Sequence, residues 1–495
     1  MFAAPDTGQI HKRYDKPMNI TDPIRRVARL HPSAIAVVGV DNIGIPYRDL
    51  DRAIDAVVER VGGMGVVAGQ TAGLGVTGPD EYPALVLALA LARAGAITAE
   101  MSYPAERMDF CFLPVGAPLK SGTRCVTFDS SWTRISPASP APDVCTSPGG
   151  STVCRIFSSS GTTGMPKFAA ISHETMVSRV LGNTLSMGPP EPVYICAVSL
   201  GITWGFATAL RILWAGSTLV LSNPAQALAA IRRHRVNAMV IAPISLQAIL
   251  ATVPPGQGRP GSLKAIEVGG SVLPPRLHDL ARQKLCDNIV SYFGSMETGG
   301  VASAPVAALP RDGKAVGYVH AGVEVQAVDA DDNKLPASAE GTLRIRGTNT
   351  IAGYLGDTEA TVSPFRDGWF YSGDVGSVSR DGIMSITGRV SEFINSGGVK
   401  ISPHVIEDVL LTLPEVTDAA AFGVPDEMGV DQIWAAIVAT TPIDAGRLNA
   451  LCQQRLAASA PKFILQIKGL PRNPNGKVRR EELVRFAVSQ TRKPI

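Results

Sequence analysis

The chain has 495 residues, of which 45% are hydrophobic and 18% are charged. Domains usually contain about 100–200 residues, so this length predicts more than one domain, or one large domain with an appendage. The formal net charge is only +3 and no dense basic run is present, which argues against a dedicated nucleic-acid-binding protein.

The seven cysteines do not form a recognisable framework. Their number is odd, no two are spaced as Cys-x-x-Cys, and none lies near clustered histidines, so we expect neither structural disulfides nor a zinc site. The polar start of the chain does not read as a secretory signal. The most apolar stretch, residues 84–99, is interrupted by Arg93 and Gly95 and is too short to span a bilayer. We therefore expect a cytoplasmic protein without a transmembrane segment.

The predicted elements begin with a strand hairpin over residues 34–47, followed by a helix over residues 49–61 that ends at a glycine pair. A second helix over residues 84–94 leads into a strand that begins at Ile97. Strands and helices then alternate from residue 218 to residue 293. This alternation predicts parallel sheet covered by helices.

The pattern changes in the last third of the chain. From Val323 it shows short strands separated by turn signals, and beyond Arg389 a smaller region of strands and helices follows. We therefore place a domain boundary at this point, with residues 1–388 as the first domain and residues 389–495 as the second.

A loop rich in serine, threonine and glycine follows the short apolar strand Cys154–Phe157 and ends at Lys167. Glycines allow backbone N–H groups to face inward as an anion-binding nest, hydroxyls donate to phosphate oxygens, and the lysine adds positive charge. The Walker pattern is broken by Pro166 and Phe168. We interpret the loop as a phosphate-binding loop rather than an ordinary flexible turn. Its predicted phosphate-binding residues are Ser158, Ser159, Ser160, Gly161, Thr162, Thr163, Gly164 and Lys167.

This loop resembles the signature loop of the adenylate-forming superfamily, which includes acyl- and aryl-CoA synthetases, adenylation domains of peptide synthetases, and luciferases. Four further motifs of that superfamily follow in the expected order, so the resemblance spans nearly the whole chain. The resemblance implies an α/β fold. A large N-terminal domain would combine parallel-type β-sheets and helices with a distorted β-barrel, and a small mobile α+β C-terminal domain would act as a lid.

The second and third motifs lie over residues 268–274 and 291–298. The resemblance implies that the glycine pair of the second motif lies along adenine, that Phe293 stacks on adenine, and that the Glu297 carboxylate holds Mg²⁺. Met296 stands where the superfamily has threonine, and a thioether cannot donate to a phosphate oxygen. The remaining nucleotide-binding assignments are Gly269, Gly270, Ser271, Tyr292, Gly294 and Ser295.

The fourth and fifth motifs lie nearer the C-terminus. In the fourth, over residues 369–374, the resemblance implies that Asp374 binds both ribose hydroxyls, and that Arg389 reaches the ribose or the phosphates. The fifth is Asn-Pro-Asn-Gly-Lys, which ends at Lys477. This lysine is the implied catalytic residue, because it would bind the α-phosphate and the attacking carboxylate while negative charge develops.

The resemblance also implies a reaction in two steps, with rotation of the small domain between them. ATP and a carboxylic acid form acyl-AMP and pyrophosphate, and a thiol then displaces AMP. The thiol is expected to enter along Gly397, Gly398 and Lys400. Ser391 stands at the hinge position, where the family usually has aspartate or lysine.

The acyl pocket is expected over residues 198–206, lined by Ile202, Thr203, Trp204 and Phe206. Amino-acid-activating relatives have an aspartate here, but this chain has no acidic residue between Cys196 and Val220. Because a buried ammonium without a partner is unfavourable, we expect a fatty or aromatic acid instead. Trp204 could equally be an ordinary core residue.

The sequence therefore predicts an acyl- or aryl-CoA synthetase that uses ATP, Mg²⁺ and CoA. In a close alternative, the acceptor is the phosphopantetheine of an acyl carrier protein. An alternative of another class is a nucleotide-binding protein that has lost turnover, which Met296 and Ser391 would favour. A P-loop kinase is disfavoured because the Walker sequence is absent.

Overall fold

The computed structural model of the chain describes residues 18–75, 81–134, 149–159, 166–187, 192–311, 313–356, 361–396, 399–426, 431–472 and 478–491. The chain divides into two compact units, and the statements below refer to the described residues within them. Unit 1 comprises Met1–Leu309, Val319–Glu324 and Arg346–Phe370, and unit 2 comprises Pro310–Tyr318, Val325–Ile345 and Tyr371–Ile495. The boundary that we place between residues 388 and 389 stays a prediction.

The helices have the following bounds in chain order: α1 (Asp22–Leu30), α2 (Tyr47–Gly63), α3 (Glu81–Arg93), α4 (His173–Met187), α5 (Thr203–Trp214), α6 (Pro224–Arg233), α7 (Pro243–Ala251), α8 (Pro275–Lys284), α9 (Pro403–Leu411), α10 (Ala445–Leu456) and α11 (Arg480–Thr491). The strands of the first half are β1 (Ile35–Val38), β2 (Gly44–Pro46), β3 (Thr71–Leu74), β4 (Ile97–Glu100), β5 (Phe110–Pro114), β6 (Arg124–Phe128), β7 (Val153–Ser159), β8 (Lys167–Ser172), β9 (Val193–Cys196), β10 (Thr218–Val220) and β11 (Ala238–Ile241). Those of the second half are β12 (Ala265–Gly269), β13 (Ile289–Ser295), β14 (Gly299–Pro305), β15 (Ala315–Val319), β16 (Val323–Val328), β17 (Gly341–Gly347), β18 (Phe365–Arg366), β19 (Trp369–Val378), β20 (Ile383–Arg389), β21 (Ile394–Ser396), β22 (Val399–Ile401), β23 (Val416–Pro425), β24 (Asp431–Ala439) and β25 (Phe463–Gln466).

Unit 1 contains two mixed sheet regions. In one, the strands are neighbours in the order β14-β13-β12-β11-β9-β10-β1-β2. They are parallel from β13 to β1 and antiparallel at both ends. The other has the order β6-β5-β3-β4-β7-β8, with only β7 and β8 antiparallel. The predicted parallel sheet with helices between its strands is confirmed.

The helix α3 shows why the most apolar segment of the chain is a core element. Every residue from Pro83 to Arg93 is buried, as expected for a helix that is apolar on all sides. Arg93 at its end has no exposed area, and its guanidinium pairs with Asp51 and Asp55 at 2.7 Å each. Gly95 follows with a φ of +80°, and the chain turns into β4. Among the described helices, none is both long and apolar enough to cross a membrane.

The strands between Ala315 and Arg389 correct one part of the predicted fold. They pair in the order β16-β17-β19-β20-β15, and β16 has β17 as its only neighbouring strand in the described chain. A barrel requires the outer strands of a sheet to pair with each other. The described sheets are therefore mixed and open, and the expected distorted β-barrel is not formed.

The C-terminal part of unit 2 has its own small sheets and cores. The strands β21 and β22 form an antiparallel hairpin, while β23 pairs antiparallel with β24 and β24 pairs parallel with β25. One face of the β23–β25 sheet packs with α9 and α10, and the other packs with α11. This arrangement agrees with the predicted small α+β region at the end of the chain.

Candidate active site

The serine-rich loop is held by the antiparallel hairpin of β7 and β8, in which Ser159 lies opposite Lys167. Ser158, the first of the predicted phosphate-binding residues, is fixed by Glu100, which accepts hydrogen bonds from both its backbone N–H and its hydroxyl. The two ends of the predicted phosphate-binding loop are therefore side by side. The remaining predicted residues of this loop, Ser160, Gly161, Thr162, Thr163 and Gly164, lie outside the described residues.

Tyr354 connects the lysine of this loop with the predicted magnesium ligand. The Lys167 Nζ atom lies 5.1 Å from the centre of the Tyr354 ring, a distance at which a cation is attracted to the ring face. The Tyr354 hydroxyl donates a hydrogen bond of 2.7 Å to Oε1 of Glu297, whose side chain is mostly buried. The structure thus brings Lys167 and Glu297 together through a tyrosine that no sequence motif singled out.

The turn that carries Glu297 is fixed by its own hydroxyls and by a buried arginine. Ser295 Oγ accepts hydrogen bonds of 3.2 Å from the N–H groups of Glu297 and Thr298, and it lies 3.1 Å from the Thr298 hydroxyl. Arg179 donates to the carbonyl oxygens of Glu297 at 3.3 Å and of Asn349 at 2.9 Å. The hydroxyls that could replace the threonine missing at Met296 are therefore engaged in shaping this turn.

The donor set at Glu297 fits a magnesium ion that is held mainly by a nucleotide. The described residues contain no group of three or more histidine, cysteine, aspartate or glutamate side chains that could hold a metal. Mg²⁺ commonly takes one or two carboxylates and completes its shell with phosphates and water. Because Tyr354 donates to Oε1 of Glu297, the second carboxylate oxygen, Oε2, is the one available to a cation.

The glycine pair of the second motif packs against a tryptophan. A Cβ atom on Gly269 would lie 2.7 Å from the Tyr292 carbonyl oxygen and 3.0 Å from Cη2 of Trp204. Gly270 has a φ of +86°, which disfavours residues with a side chain. The indole of Trp204 is stacked on the Tyr292 ring, with the centroids 5.3 Å apart and the planes 7° apart. Neighbouring protein atoms therefore leave no room for a side chain at position 269, which explains the glycine there.

A buried carboxylate that sequence reasoning missed lies beside this tryptophan. Trp204 Nε1 donates to Oε1 of Glu267 at 3.2 Å, and Arg211 Nη2 lies 3.5 Å from Oε2. Burial raises the pKa of Glu267, although the charge of Arg211 and the hydrogen bond from Trp204 oppose the shift. The sequence search for an acidic residue covered only the segment from Cys196 to Val220, whereas Glu267 comes from β12. Because Glu267 is one residue of a buried strand, no local sequence pattern indicates that it lies beside Trp204.

The other predicted residues of unit 1 differ in their exposure. Ile202 and Trp204 keep partial exposure, whereas Thr203 and Phe206 are buried, and the Phe206 ring lies 6.3 Å from that of Phe157. Phe293 is partly exposed and follows Tyr292 on β13, so their side chains leave opposite faces of the strand. At the other assigned positions, Gly294 allows close approach to the Gly299 carbonyl and Ser271 is exposed.

The predicted ribose-binding residues meet in unit 2. Asp374 on β19 lies opposite Arg389 on β20, and the Arg389 Nε atom donates to Asp374 Oδ1 at 2.8 Å. The Asp374 backbone N–H donates to the hydroxyl of Ser372 at 3.1 Å. The aspartate is 6% exposed. Asp374, assigned to the ribose, and Arg389, assigned to the ribose or the phosphates, are therefore adjacent in the structure.

The thiol and lysine assignments lie largely outside the described residues. This is so for Gly397, Gly398 and Lys477, and for Lys400 the structure describes the backbone alone, as part of β22. Arg472 and Val478, the described residues on either side of the segment that carries Lys477, form an antiparallel bridge.

An ion-pair cluster that sequence reasoning missed follows directly on that segment. The guanidinium of Arg480 lies 3.1 Å from Glu392 and 2.7 Å from Glu407, and His404 lies 3.0 Å from Glu407. Glu392 is next to the expected hinge at Ser391. The cluster therefore ties the segment just after the hinge to the first turn of α11, three residues beyond Lys477.

Comparison with known proteins identifies the family. The model of the AMP-binding enzyme family matches residues 24–355, and that of the AMP-binding enzyme C-terminal domain matches residues 405–477. The chain belongs to the AMP-binding enzyme family. This AMP-binding enzyme is 28% identical to the salicyl-AMP ligase / salicyl-S-ArCP synthetase of Mycobacterium tuberculosis, over 92% of this chain and 89% of the relative. It is also 28% identical to a feruloyl-CoA synthase of Amycolatopsis, over 94% of this chain and 98% of the relative.

A solved structure confirms the predicted α/β fold with a larger N-terminal domain and a smaller C-terminal domain. It is the O-succinylbenzoate coenzyme A synthetase of Bacillus subtilis in complex with ATP and a magnesium ion. The match has a TM-score of 0.82 at 22% identity and covers 93% of this chain and 99% of the other. The fold of the adenylate-forming superfamily is thus confirmed for this AMP-binding enzyme. Its family and relatives also confirm the predicted class, an AMP-forming acid–thiol ligase.

Proposed function

We propose that the enzyme activates an aromatic or fatty carboxylic acid with ATP and then transfers the acyl group to the thiol of CoA. The observation that carries this proposal is the group formed by Lys167, Tyr354 and Glu297 beside the β7–β8 hairpin. This group places the cation of Lys167 and the carboxylate of Glu297 close together at the end of the serine- and glycine-rich loop. A triphosphate with its magnesium ion requires both charges.

In the first step, the substrate carboxylate oxygen bonds to the α-phosphorus of ATP, and the bond from that phosphorus to pyrophosphate breaks. Mg²⁺ at Glu297 would neutralise phosphate charge. Lys167 supplies positive charge at the loop, and Lys477 would stabilise the charge that develops at the α-phosphate. Removing one such donor typically lowers the rate by roughly 10²–10³.

The remaining residues would hold the rest of the nucleotide. Asp374 would accept hydrogen bonds from the ribose hydroxyls, while Arg389 fixes its carboxylate at 2.8 Å. Phe293 and the backbone at Gly269 and Gly270 would contact the adenine, and Phe293 has the partial exposure that stacking requires.

In the second step, the thiolate sulfur bonds to the acyl carbon, the bond from that carbon to AMP breaks, and AMP leaves. The thiol would enter along the β21–β22 hairpin, which carries Lys400. The similarity to the salicyl-S-ArCP synthetase supports a second acceptor, the phosphopantetheine of a carrier protein. The similarity to the feruloyl-CoA synthase supports CoA.

Acid-dependent exchange of labelled pyrophosphate into ATP tests the first step. An active enzyme exchanges label in the presence of its acid, whereas a nucleotide-binding protein without turnover shows no exchange with any acid. A panel of aromatic, fatty and dicarboxylic acids would identify the substrate class. Transfer of the product to CoA, compared with transfer to a phosphopantetheinylated carrier protein, distinguishes the two acceptors.

Lys477→Ala tests the role of the C-terminal lysine. We expect exchange to be abolished while acyl-AMP supplied to the enzyme is still transferred to a thiol, because the lysine acts on the α-phosphate only in the first step. Lys468→Ala, which changes an exposed lysine of the same unit, is the matched control and should leave both half-reactions unchanged. Equal loss of both half-reactions in Lys477→Ala would contradict the assigned role.

The proposed place of action is the cytoplasm. All six cysteines among the described residues are free thiols, which supports a reducing environment.

A further inference from the structure

The indole of Trp204 is held in one position by contacts from three directions. Trp204 lies in the first turn of α5, its ring stacks on Tyr292 of β13, and its edge contacts the backbone of Gly269 at the end of β12. Its Nε1 atom donates to Glu267. These contacts fix the indole against the ends of β12 and β13, beside the first turn of α5.

The carboxylate of Glu267 is placed so that it orients the indole. Glu267 and Gly269 are two residues apart on β12, so both face the same side of the strand, and Trp204 contacts both. The side chain of Glu267 is 5% exposed and is paired with Arg211 at 3.5 Å. A buried charge pair contributes little net stability compared with apolar residues of similar volume. The contact that bears on the tryptophan is the hydrogen bond from the indole N–H to the carboxylate, which Arg211 holds in place.

We propose that Trp204 is the end wall of the acyl pocket and that Glu267 is the positioning residue that fixes this wall, so that the enzyme selects compact acids, with a single ring or a short chain, over long-chain fatty acids. This inference rests on the proposed function and deepens it. Ile202 and Trp204 are the members of the predicted lining that keep exposed area. A long acyl chain that runs from Ile202 between the helix and the strands meets the face or edge of the indole.

Glu267 is not arranged as a site for a substrate ammonium. One of its oxygens accepts the indole N–H, and the guanidinium of Arg211 lies beside the other, so the carboxylate charge is already balanced. A second cation at the same place would be repelled by Arg211. Although Glu267 is an acidic residue beside the predicted pocket, its charge is already paired, so amino acids remain disfavoured as substrates.

The wild-type enzyme gives the first test. The kcat/KM of acid-dependent pyrophosphate exchange is measured with benzoate, phenylacetate, 4-phenylbutyrate, hexanoate and dodecanoate. We expect benzoate, phenylacetate or hexanoate to be preferred to dodecanoate by at least about 10-fold, the smallest effect that one methylene group produces in a tight pocket. A preference for dodecanoate would overturn the inference. Absence of exchange with every acid would instead overturn the proposed function.

Replacement of the wall gives the second test. Trp204→Ala should raise the ratio of kcat/KM for dodecanoate to that for benzoate by about 10-fold or more, since the removed ring leaves room for several methylene groups. Trp204→Phe keeps an aromatic ring near Tyr292 and Gly269 but loses the N–H that donates to Glu267, so it should shift the ratio in the same direction but less than Trp204→Ala. An unchanged ratio in a folded Trp204→Ala enzyme would refute the role of the wall.

The positioning role of Glu267 is tested by the same ratio. Glu267→Gln keeps an oxygen acceptor for the indole N–H and should keep the wild-type acid preference, whereas Glu267→Leu should shift it toward dodecanoate. Because Glu267→Leu leaves Arg211 buried without its partner, the double variant Glu267→Leu/Arg211→Leu provides a version in which both charges are removed. If the leucine variants fold and keep the wild-type ratio, Glu267 has no part in fixing the wall.

Discussion

Glu407→Gln should destabilise unit 2, because Glu407 is the buried anion of the cluster around Arg480. One oxygen accepts from Arg480 at 2.7 Å and from the backbone N–H of Ala421 at 2.9 Å, and the other lies 3.0 Å from His404. Glutamine keeps an acceptor for Ala421 but supplies no negative charge. Breaking a buried pair by removing one partner costs about 3–5 kcal/mol. We expect a loss near the lower end of this range, because Arg480 retains Glu392 at 3.1 Å.

The pH dependence of this loss follows from the pKa of Glu407. Burial alone would raise that pKa, but the charge of Arg480 and the hydrogen bond from His404 outweigh burial and lower the pKa from 4.5 to about 2. A carboxyl group with a depressed pKa in the folded state contributes stability above its unfolded pKa and loses it as the pH falls through the folded pKa. The shift corresponds to roughly 3 kcal/mol, in agreement with the cost of breaking the pair. The difference between wild type and variant should therefore be largest between pH 4.5 and 6.5 and disappear as the pH approaches 2. It should also decrease above pH 6.5, because the hydrogen bond with Glu407 raises the pKa of His404 and this contribution is lost when His404 deprotonates.

Urea unfolding between pH 3 and pH 8, followed by circular dichroism and by tryptophan fluorescence, measures this difference. Trp434 is the buried tryptophan of unit 2, in the core beside α11, so the fluorescence signal includes this unit. Glu482→Gln is the matched control, because it removes a more exposed carboxylate that pairs with Arg479 on the surface. Such surface pairs contribute about 0–1 kcal/mol. A Glu407→Gln protein as stable as the control at neutral pH, or a difference that does not shrink on acidification, would refute the reasoning.

Three further substitutions test the candidate site. Tyr354→Phe keeps the ring near Lys167 but removes the hydrogen bond to Glu297. Hydrogen bonds to charged groups contribute roughly 1.5–3 kcal/mol, so pyrophosphate exchange should fall roughly 10- to 100-fold. Wild-type exchange would show that this bond has no part in catalysis. Gly269→Ala places a Cβ atom 2.7 Å from the Tyr292 carbonyl oxygen and should lower the free energy of unfolding by roughly 1–3 kcal/mol, measured by urea titration. A variant as stable as the wild type would mean that the backbone shifts to accept the methyl group. Asp374→Asn should raise the KM for ATP roughly tenfold, because a charged hydrogen-bonding partner is lost, and should leave the KM for the acid unchanged. An equal change in both KM values would point to general misfolding.

The parts of the site that could be predicted are those that depend on local sequence. The predicted strand over residues 154–157 lies within β7, and β8 begins at Lys167, where the predicted loop ends, because the apolar strand and the glycine-rich loop are contiguous in the sequence. Asp374 and Arg389 meet because they pair in register across two antiparallel strands that are consecutive in the sequence and joined by a short turn. The parallel sheet was predictable for the same reason, since the alternation of strands and helices can be read within short windows.

The parts that could not be predicted depend on contacts between distant segments. Glu267 lies 63 residues from Trp204, and Tyr354 lies 57 residues from Glu297. Tyr354 lies outside the motifs, and Glu267 directly precedes the second motif without being part of it, so these two contacts become evident only when the strands are assembled. The prediction of a closed barrel was wrong for a related reason. Closure depends on whether the first and last strands pair, and no local pattern specifies that pairing.

The buried arginine behind the Glu297 turn has a consequence for how the protein attracts anions. Burial lowers the pKa of Arg179 to about 10, so the guanidinium remains protonated at physiological pH. Within the described chain no carboxylate oxygen lies at ion-pairing distance from it, and the oxygens it holds are backbone carbonyls. Mobile salt ions cannot surround a charge in this position, and buried charges are screened much less than surface charges. The charge of Arg179 should therefore still act on a phosphate group bound directly at this turn when the salt concentration is raised, whereas long-range attraction by surface lysines weakens.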